Sequence, residues 1–278
     1  MTRYFDHHCH NGHSRCVKVP YSIEDGLNRA LDRGFVEGIG ITNHCHMNSP
    51  EQEHLKQSRE EIDKINQERR DEKVLLGVEL DIDHPSGKFV LKKESLELVD
   101  YVLAGPHNMP HKSLAFPDME REDFDEYFGV LHDILVNSLD RNPINIIPHP
   151  FLQEIEIGGV FFEKEIFNIL PDVLSILAEK GIAMEISSTF HRDKQGTVEI
   201  FALGNKDDSW IQIIKMTSKI YQEALRYADI MFSFGSDAHG LENAGDIFTP
   251  ILISRVLKIP GKRIMHLKDF VDSYNKQT

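Results

Sequence analysis

The sequence predicts an α/β fold in which seven parallel strands and their helices form a closed or nearly closed barrel. Short runs rich in β-branched residues alternate with helical patterns from end to end of the 278-residue chain. No linker rich in Gly, Ser or Pro, no low-complexity tract and no internal repeat divides the chain. We therefore expect one domain over residues 1–278.

The predicted strands are short apolar runs bounded by polar or turn residues. They cover residues 3–9, 36–42, 74–82, 101–104, 144–147, 182–186 and 230–233. Helices are predicted over residues 22–32, 50–66, 121–138, 163–180 and 209–227. Ser22 followed by Asp25 resembles a capping box, Gly34 stops the first helix, and Pro50 suits the first position of the second.

The composition limits the classes of partner. The net charge is -14, from 31 Lys and Arg against 45 Asp and Glu, so a broad nucleic-acid-binding surface is not expected. No apolar run approaches the roughly 20 residues of a membrane helix, and the amino terminus lacks the apolar core of a secretory signal. The odd number of cysteines, three, suits a reducing compartment. We expect a cytoplasmic protein with no membrane partner.

The first predicted strand ends in Asp-His-His-Cys-His. Residues two apart in a strand share a face, so His8 and His10 can converge on one ion. Neutral imidazole is a common zinc ligand. Glu79 lies inside an otherwise apolar strand, where an unpaired carboxylate would cost several kcal/mol, so a positive group is expected beside it.

The other strands also end in residues that can bind metal. In parallel barrels, functional side chains gather at the carboxyl ends of the strands. These positions carry His44, Glu79, His107, His149, Asp237 and His239. Each residue alone is a weak signal, but their joint occurrence at successive strand ends indicates a cluster of divalent ions.

Here the sequence resembles the PHP superfamily, the polymerase and histidinol phosphatase family of metal-dependent phosphoesterases. The motifs that carry the resemblance span nearly the whole chain. They are Asp6-x-His8-x-His10, Asn43-His44 where the family usually has Asp-His, Glu79, His107, His149-Pro150 and Ser236-Asp237-Ala238-His239. The resemblance implies a distorted seven-stranded TIM-like (β/α)7 barrel that holds two or three divalent ions, commonly Zn, Mn or Fe.

The resemblance also implies how the ligands are shared. One ion would be held by His8, His10, Glu79 and Asp237, and Glu79 would bridge to a second ion that takes His107 and His149. A third ion would be held by His44 and His239 with one ligand from the loop after the first strand. The family often has His where this chain has Cys16. His13 in the same loop is the favoured alternative.

The implied function is hydrolysis of the phosphomonoester of a small metabolite by a metal-bridged hydroxide, with histidinol phosphate as the best single substrate. Two ions roughly 3.5 to 4 Å apart can activate a shared water for attack at phosphorus. Asp237, His239 and Glu79 are the expected catalytic residues. Arg192 and Arg15 are candidates for binding phosphate, and Glu185 for binding a substrate amine or for supporting a metal ligand.

Three alternatives remain open at this stage. A phosphodiesterase or nuclease would use the same ions on nucleotides. An amidohydrolase-type enzyme also combines a His-x-His pair with a late Asp in a barrel, but it more usually bridges its ions with a carboxylated Lys. A non-catalytic regulatory module would bind metal without turnover, and Asn43 and the loop with His13 and Cys16 are where degeneracy would show.

Overall fold

The structure is a computed structural model of the chain. It describes residues 2–14, 16–45, 52–69, 73–82, 84–88, 91–107, 121–158, 162–189 and 206–266. Among these residues, no helix combines the length and the apolar character needed to cross a membrane.

A parallel sheet of seven strand positions forms the centre of the fold, as predicted. The strands are β1 (Tyr4–Cys9), β2 (Val36–Ile41), β3 (His44–Cys45), β4 (Lys73–Asp81), β5 (Tyr101–Gly105), β6 (Ile146–Ile147), β7 (Ala183–Ser187) and β8 (Phe232–Gly235). Their order in the sheet is β1-β2-β4-β5-β6-β7-β8. The short β3 pairs with β4 beyond the end of β2, so β2 and β3 follow one another along one edge of β4.

The sheet closes into a barrel between β1 and the segment after β8. The backbone N–H of His10 donates to the carbonyl of Ala238 at 2.9 Å, and that of Asp237 donates to the carbonyl of His8 at 2.7 Å. A parallel bridge joins Cys9 to Ala238. The expectation of an α/β barrel with seven strand positions is confirmed, and its closure lies at residues predicted to bind metal.

Eight helices accompany the strands in the described part of the chain. They are α1 (Ile23–Leu31), α2 (Gln52–Glu68), α3 (Lys93–Leu96), α4 (Arg121–Arg141), α5 (Leu152–Gly158), α6 (Glu163–Lys180), α7 (Lys206–Leu225) and α8 (Phe248–Val256). The five predicted helices are confirmed within a few residues, while α3, α5 and α8 were not predicted. Helices of four to nine residues are too short for a clear 3.6-residue period.

The start of α1 shows how the sequence sets a boundary. Ser22 is the N-cap: its hydroxyl accepts a hydrogen bond from the backbone N–H of Asp25 at 3.1 Å and donates to the Asp25 carboxylate at 2.6 Å. This satisfies a backbone donor that has no partner within the helix. Gly34 adopts a φ of 76°, which a residue with a Cβ rarely takes. The chain turns there into β2.

The strands bury both faces, and each face has its own core. Apolar side chains between the strands and the helices form the larger core, in which Leu76, Val102 and Met184 take part. Residues from five different strands meet in a small inner core on the barrel axis: Phe5, Leu75, Tyr101, Leu103, Ile146 and Ala183. Along β4 the inward face therefore continues from Leu75 through Gly77 to Glu79 and Asp81.

Candidate metal centre

The polar residues predicted from the strand ends meet at one end of the barrel, above the inner core. They are His8 and His10 from β1, His44 from β3, Glu79 from β4, His107 after β5, His149 after β6, and Asp237 and His239 after β8. Two further carboxylates, Asp81 of β4 and Glu185 of β7, lie among them.

An irregularity in β1 sets the direction of the first two histidines. Asp6 pairs with Ile39 and Cys9 pairs with Ile41, so β1 uses one more residue than β2 over this stretch. This is a β-bulge, which re-aims side chains locally. His7 packs between Phe5 and Tyr101 in the inner core, and burial lowers its pKa to about 3, which keeps the ring neutral. His8 is consequently free to face the other ligands.

Glu79 is the centre of the cluster. Five imidazole nitrogens lie 3.0–3.3 Å from its carboxylate oxygens, which are buried. The Nε2 atoms of His107 and His149 face Oε1. The Nε2 atoms of His8 and His10 and Nδ1 of His44 face Oε2. The two oxygens of one carboxylate thus face two separate sets of histidines.

The spacing of the ring nitrogens fits divalent cations. Nε2 of His8 is 3.2 Å from Nε2 of His10, and Nε2 of His107 is 3.3 Å from Nε2 of His149. Two nitrogens at 2.0–2.1 Å from a tetrahedral zinc ion would be separated by about 3.3–3.4 Å. The donor set of imidazoles and carboxylates also suits zinc, manganese or iron. These residues therefore match the chemistry that a metal centre requires.

Four overlapping groups of three or four residues have their ligand atoms within 4.8 Å of one another in the described part of the chain. They are His8, Glu79 and His149; His8, His10 and Asp237; His44, Asp81 and His107; and His10, Cys16, His44 and His239.

Glu185 supports two of these residues from behind. Its Oε1 lies 2.9 Å from Nδ1 of His8, and its Oε2 accepts a hydrogen bond from the backbone N–H of His149 at 2.8 Å. The carboxylate is fully buried and both oxygens are engaged. Of the two roles expected for Glu185, this position behind two proposed ligands and outside the cavity lining favours support of a ligand over binding of a substrate amine. A carboxylate behind a ligating His fixes the tautomer and strengthens the ligand.

Asp81 plays the same part for His107, and the sequence reading did not assign it. Its Oδ1 lies 2.8 Å from Nδ1 of His107, so Nε2 of that ring faces Glu79. The same oxygen is 3.8 Å from Nδ1 of His44. The signal was available, because Asp81 follows Glu79 by two residues on a strand and must share its face.

The backbone at two proposed ligands is strained. His149 has a φ of 23° and Asp237 a φ of 48°, values that residues with a Cβ seldom adopt. The hydrogen bonds from His149 to Glu185 and from the Asp237 N–H to the carbonyl of His8 hold these conformations. The hydroxyl of Thr189 donates to Oδ2 of Asp237 and orients that carboxylate. Non-glycine residues with positive φ are uncommon and gather at functional sites.

Charge in the cluster is balanced by protons when no cation is bound. Burial raises the pKa values of Glu79 and Asp237, but neighbouring imidazoles outweigh it and hold both well below their usual range. Burial lowers the pKa of His8, yet Glu79, Glu185 and Asp237 raise it well above its usual value. Burial also lowers the pKa of His107, but Glu79 and Asp81 outweigh this effect and raise the pKa to about 10. Cations binding here would displace these protons.

The loop after β1 brings Cys16, and not His13, to the third group. Cys16 has its ligand atom within 4.8 Å of those of His10, His44 and His239. Burial raises the pKa of its thiol, but the same three imidazoles lower it more, to about 3. The ring of His13 instead lies 5.5 Å from that of His54, with Nε2 4.0 Å from the Glu61 carboxylate. The preference for His13 is therefore corrected, because the loop turns its ring towards α2.

A cavity of about 250 Å³ opens above the cluster. The residues that line it are His44, Glu79, His107, His149, Leu152, Thr189, Asp237 and His239. Arg15 and Arg192, the arginines predicted to bind phosphate, lie outside the described residues.

The geometry can be compared with known proteins. No protein-family model and no curated protein sequence matches the chain. The structure is similar to a histidinol phosphate phosphatase from Lactococcus lactis subsp. lactis, solved with zinc, L-histidinol and phosphate. That match has a TM-score of 0.65 and 18% identity over 92% of this chain and 93% of the other. The putative histidinol phosphatase of Listeria monocytogenes gives a TM-score of 0.58 and 13% identity over 88% and 99%.

These matches define the class of fold. The chain has the distorted α/β barrel found in histidinol phosphate phosphatases, and the likeness extends over most of both chains. At identities below one fifth, the likeness establishes the fold.

Proposed function

We propose that the protein is a metal-dependent phosphoesterase of the PHP superfamily that hydrolyses the phosphomonoester of a small metabolite. The observation that carries the proposal is the position of Glu79. Its Oε1 faces His107 and His149, while its Oε2 faces His8 and His10. A buried carboxylate shared between two sets of histidines is the arrangement expected of a ligand that bridges two cations.

The proposed ligands divide accordingly. His8, His10 and Asp237 lie on the Oε2 side, where the His10 Nε2 atom is 3.1 Å from Asp237 Oδ1 and His8 Nε2 is 3.4 Å from it. His107 and His149 lie on the Oε1 side. Divalent zinc, manganese or iron bound there would supply a water of lowered pKa and would neutralise charge on phosphoryl oxygens.

The residues of the chain supply orientation and charge. Asp237 stays ionised because His8, His10 and His239 lower its pKa, and Thr189 fixes its second oxygen. Nδ1 of His239 donates to the carbonyl of Asp237 at 3.0 Å, which leaves Nε2 as the basic nitrogen of that ring. His239 is the most exposed of these side chains and lines the cavity. Glu79, Asp237 and His239 are therefore the proposed catalytic residues, acting as ligands of the cations that meet the phosphate.

The size and charge of the site favour a small phosphate ester. A cavity of about 250 Å³ lies below the usual range of small-molecule pockets, about 300–1,000 Å³. Among the described residues that line it, none is Lys or Arg, so bound cations would provide the positive charge that a phosphate needs. The similar protein from Lactococcus lactis was solved with L-histidinol and phosphate. Histidinol phosphate is accordingly the first candidate substrate.

The test is phosphate release by protein loaded in turn with Zn²⁺, Mn²⁺ and Fe²⁺. A panel of phosphomonoesters that includes histidinol phosphate is compared with a panel of phosphodiesters and nucleotides. We expect turnover of at least one monoester that is lost on chelation and restored by the metal. Turnover confined to diesters would overturn the monoester assignment in favour of a nuclease or phosphodiesterase. Metal binding without turnover of any ester would favour a regulatory module.

A further inference from the structure

We propose that Cys16 is a thiolate ligand of the metal centre, which makes the position formed by Cys16, His44 and His239 selective for thiophilic cations such as Zn²⁺, Co²⁺ or Fe²⁺ over Mn²⁺ and Mg²⁺. The inference rests on the metal-dependent function proposed above, and it adds the class of cation that one position takes. It follows from the residues that meet there and does not depend on the substrate.

The first support is the composition of the group. Cys16, His10, His44 and His239 place their ligand atoms within 4.8 Å of one another. Sulfur at about 2.3 Å and nitrogen at about 2.0–2.1 Å from a tetrahedral zinc ion would be separated by about 3.6 Å. Small rotations of the side chains would bring atoms within 4.8 Å to that separation. Three imidazoles around one thiol form a ligand set, which a lone cysteine does not.

The second support is the direction of the His10 ring. Its Nε2 faces Asp237, Glu79 and His8 at 3.1–3.3 Å and so belongs to the neighbouring group. Cys16, His44 and His239 then remain as three protein ligands. Metal sites in enzymes commonly have three protein ligands and leave one position for water or substrate. The thiolate would occupy one of the three.

The third support is the rigid placement of the loop that carries Cys16. The side chain of Asn43 accepts from the backbone N–H of Asn11 at 2.9 Å and donates to the side-chain oxygen of Asn11 at 2.6 Å. Two turns follow, in which Ser14 N–H donates to Asn11 O and Val17 N–H donates to Ser14 O. The hydroxyl of Ser14 lies 2.9 Å from Sγ of Cys16. These contacts fix the direction of the thiol.

The other two thiols serve as internal references. Cys9 is buried on the far side of β1, where its Sγ lies 3.5 Å from the hydroxyl of Tyr21 and close to the carbonyl of His10. Cys45 lies on β3 next to His44 and is half-buried, but it belongs to none of the four ligand groups of the described residues. A property specific to Cys16 can therefore be distinguished from a general property of cysteines near the site.

The consequence concerns which cations bind. Thiolate is a soft ligand that favours zinc and other thiophilic ions, whereas carboxylate and water suit manganese and magnesium. The groups built from His8, His10, Glu79, His107, His149 and Asp237 contain only nitrogen and oxygen donors. The centre would thus be mixed: two positions that accept Zn²⁺, Mn²⁺ or Fe²⁺, and one with a sulfur donor that Mn²⁺ fills poorly.

The experiment is titration of the full chain, freed of metal, with Co²⁺, followed by absorption and by metal analysis. Coordination of a thiolate to Co²⁺ gives an intense charge-transfer band in the near ultraviolet, which nitrogen and oxygen ligands do not give. We expect the band in the wild type and in Cys45→Ser, and its loss in Cys16→Ser together with weaker binding of one equivalent. Cys16→His should lose the band but keep that equivalent, because imidazole replaces the thiolate. Mn²⁺ should bind with one equivalent fewer than Zn²⁺ in the wild type and with equal stoichiometry in Cys16→His.

The outcomes separate this inference from the proposed function. A band that survives Cys16→Ser, a band that disappears in Cys45→Ser, or its absence from wild type carrying the full complement of Co²⁺ would each overturn the thiolate assignment. Circular dichroism checks that each variant is folded, and Cys16→His tests the assignment even where Cys16→Ser does not fold. Absence of phosphatase activity with the band intact would overturn the function and leave the thiolate site standing. Phosphatase activity without the band would support the proposed function and overturn the thiolate assignment.

Discussion

Glu185 holds His8 in place: its Oε1 lies 2.9 Å from Nδ1 of the imidazole, and Nε2 of the same ring then faces Glu79 at 3.2 Å. The other oxygen of Glu185 accepts the backbone N–H of His149, whose φ is 23°. One buried carboxylate thus orients a proposed ligand on β1 and stabilises a strained backbone after β6. Neither contact reaches the cavity, so we expect Glu185 to act through the proposed ligands.

Glu185→Gln should weaken metal binding without unfolding the protein. The amide keeps the size of the side chain, but it removes the negative charge and turns one acceptor into a donor that opposes the N–H of His149 or the ring of His8. Loss of such a supporting partner commonly costs 10- to 100-fold in metal affinity. Competition with a chelator measures the affinity. Glu154→Gln is the control, because Glu154 is also buried but is paired with Tyr127 and belongs to none of the ligand groups of the described residues. Unchanged affinity in Glu185→Gln would refute the role.

Gly235→Ala should disturb the same support from the neighbouring strand β8. A Cβ at Gly235 would lie 1.8 Å from Oε1 of Glu185 and 2.8 Å from Cβ of His8. Overpacking of this kind typically destabilises by about 1–3 kcal/mol, and here it also displaces a ligand. We expect a lower free energy of unfolding in urea together with weaker Zn²⁺ binding. Gly129→Ala lies in helix α4 with open space around its Cβ and should keep or increase stability. Equal stability of Gly235→Ala and the wild type would contradict the steric argument.

Much of the fold could be predicted from local patterns in the sequence. Most of the predicted strands are buried apolar runs, and the ligand candidates were chosen at their carboxyl ends, where the structure gathers His107 and Asp237 around one cavity. The bulge in β1 could not be predicted, because it depends on how β1 pairs with β2 and not on the composition of β1. Period-two alternation from Phe5 places His7 in the inner core, but without the bulge it would turn His8 away from the barrel axis.

The loop between β1 and α1 shows where sequence reasoning ends. Whether His13 or Cys16 reaches the cluster depends on turns fixed by Asn43, which is 32 residues from Asn11 in sequence. No local pattern carries that information. The choice between the two roles expected for Glu185 was similarly open, because a carboxylate at a strand end looks the same in sequence whether it faces the substrate or the back of a ligand. Asp81 differs, because its spacing of two residues from Glu79 on one strand was sufficient to place both side chains on the same face.

Glu79→Gln and Asp237→Asn should differ in the number of cations that they lose. Glu79 faces both sets of histidines, whereas Asp237 lies only on the side of His8 and His10. Metal analysis should therefore show the loss of two equivalents in Glu79→Gln and of one in Asp237→Asn. Phosphatase activity should fall roughly 100-fold or more in both, because stabilisation by a metal is several kcal/mol and each factor of ten is about 1.4 kcal/mol. Full occupancy in either variant would show that the residue is not a ligand.

Metal binding should release protons, and its affinity should rise with pH. Without cations, the pKa of His107 is raised to about 10 by Glu79 and Asp81, so this ring is protonated at pH 8, and the pKa values of His8 and His10 are raised in the same direction. Imidazole must be neutral to bind a metal. Addition of Zn²⁺ to weakly buffered protein at pH 8 should therefore acidify the solution, as read by an indicator dye. His132→Gln should release the same number of protons, because His132 pairs with Asp172 on the surface. No acidification would contradict the raised pKa values.

The raised pKa of His107 also predicts how the stability of the metal-free protein changes with pH. The pKa of His107 in the folded state is about 10, above its ordinary value of 6.5, so its pairing with Glu79 contributes fully below pH 6.5. That contribution is lost as the pH rises through about 10. Urea unfolding of the metal-free protein should show stability declining between these values, while the Zn²⁺-loaded protein should not follow the decline, since the cation replaces the proton. Parallel curves for the two forms would contradict this linkage.

Asn43→Asp should loosen the loop that carries Cys16. The amide of Asn43 both accepts from the Asn11 N–H and donates to Asn11 Oδ1, which also accepts from the N–H of His13 at 3.3 Å. A carboxylate can accept but cannot donate, so it would face the Asn11 oxygen without a proton between them. Unsatisfied groups of this kind cost about 1–3 kcal/mol. We expect lower stability and a weaker Co²⁺ charge-transfer band. Asn142→Asp removes two side-chain donor contacts, to Gly87 and Ser138, far from the loop, so it should lower stability and leave the band intact. A full band in Asn43→Asp would show that the thiol is positioned without this pair.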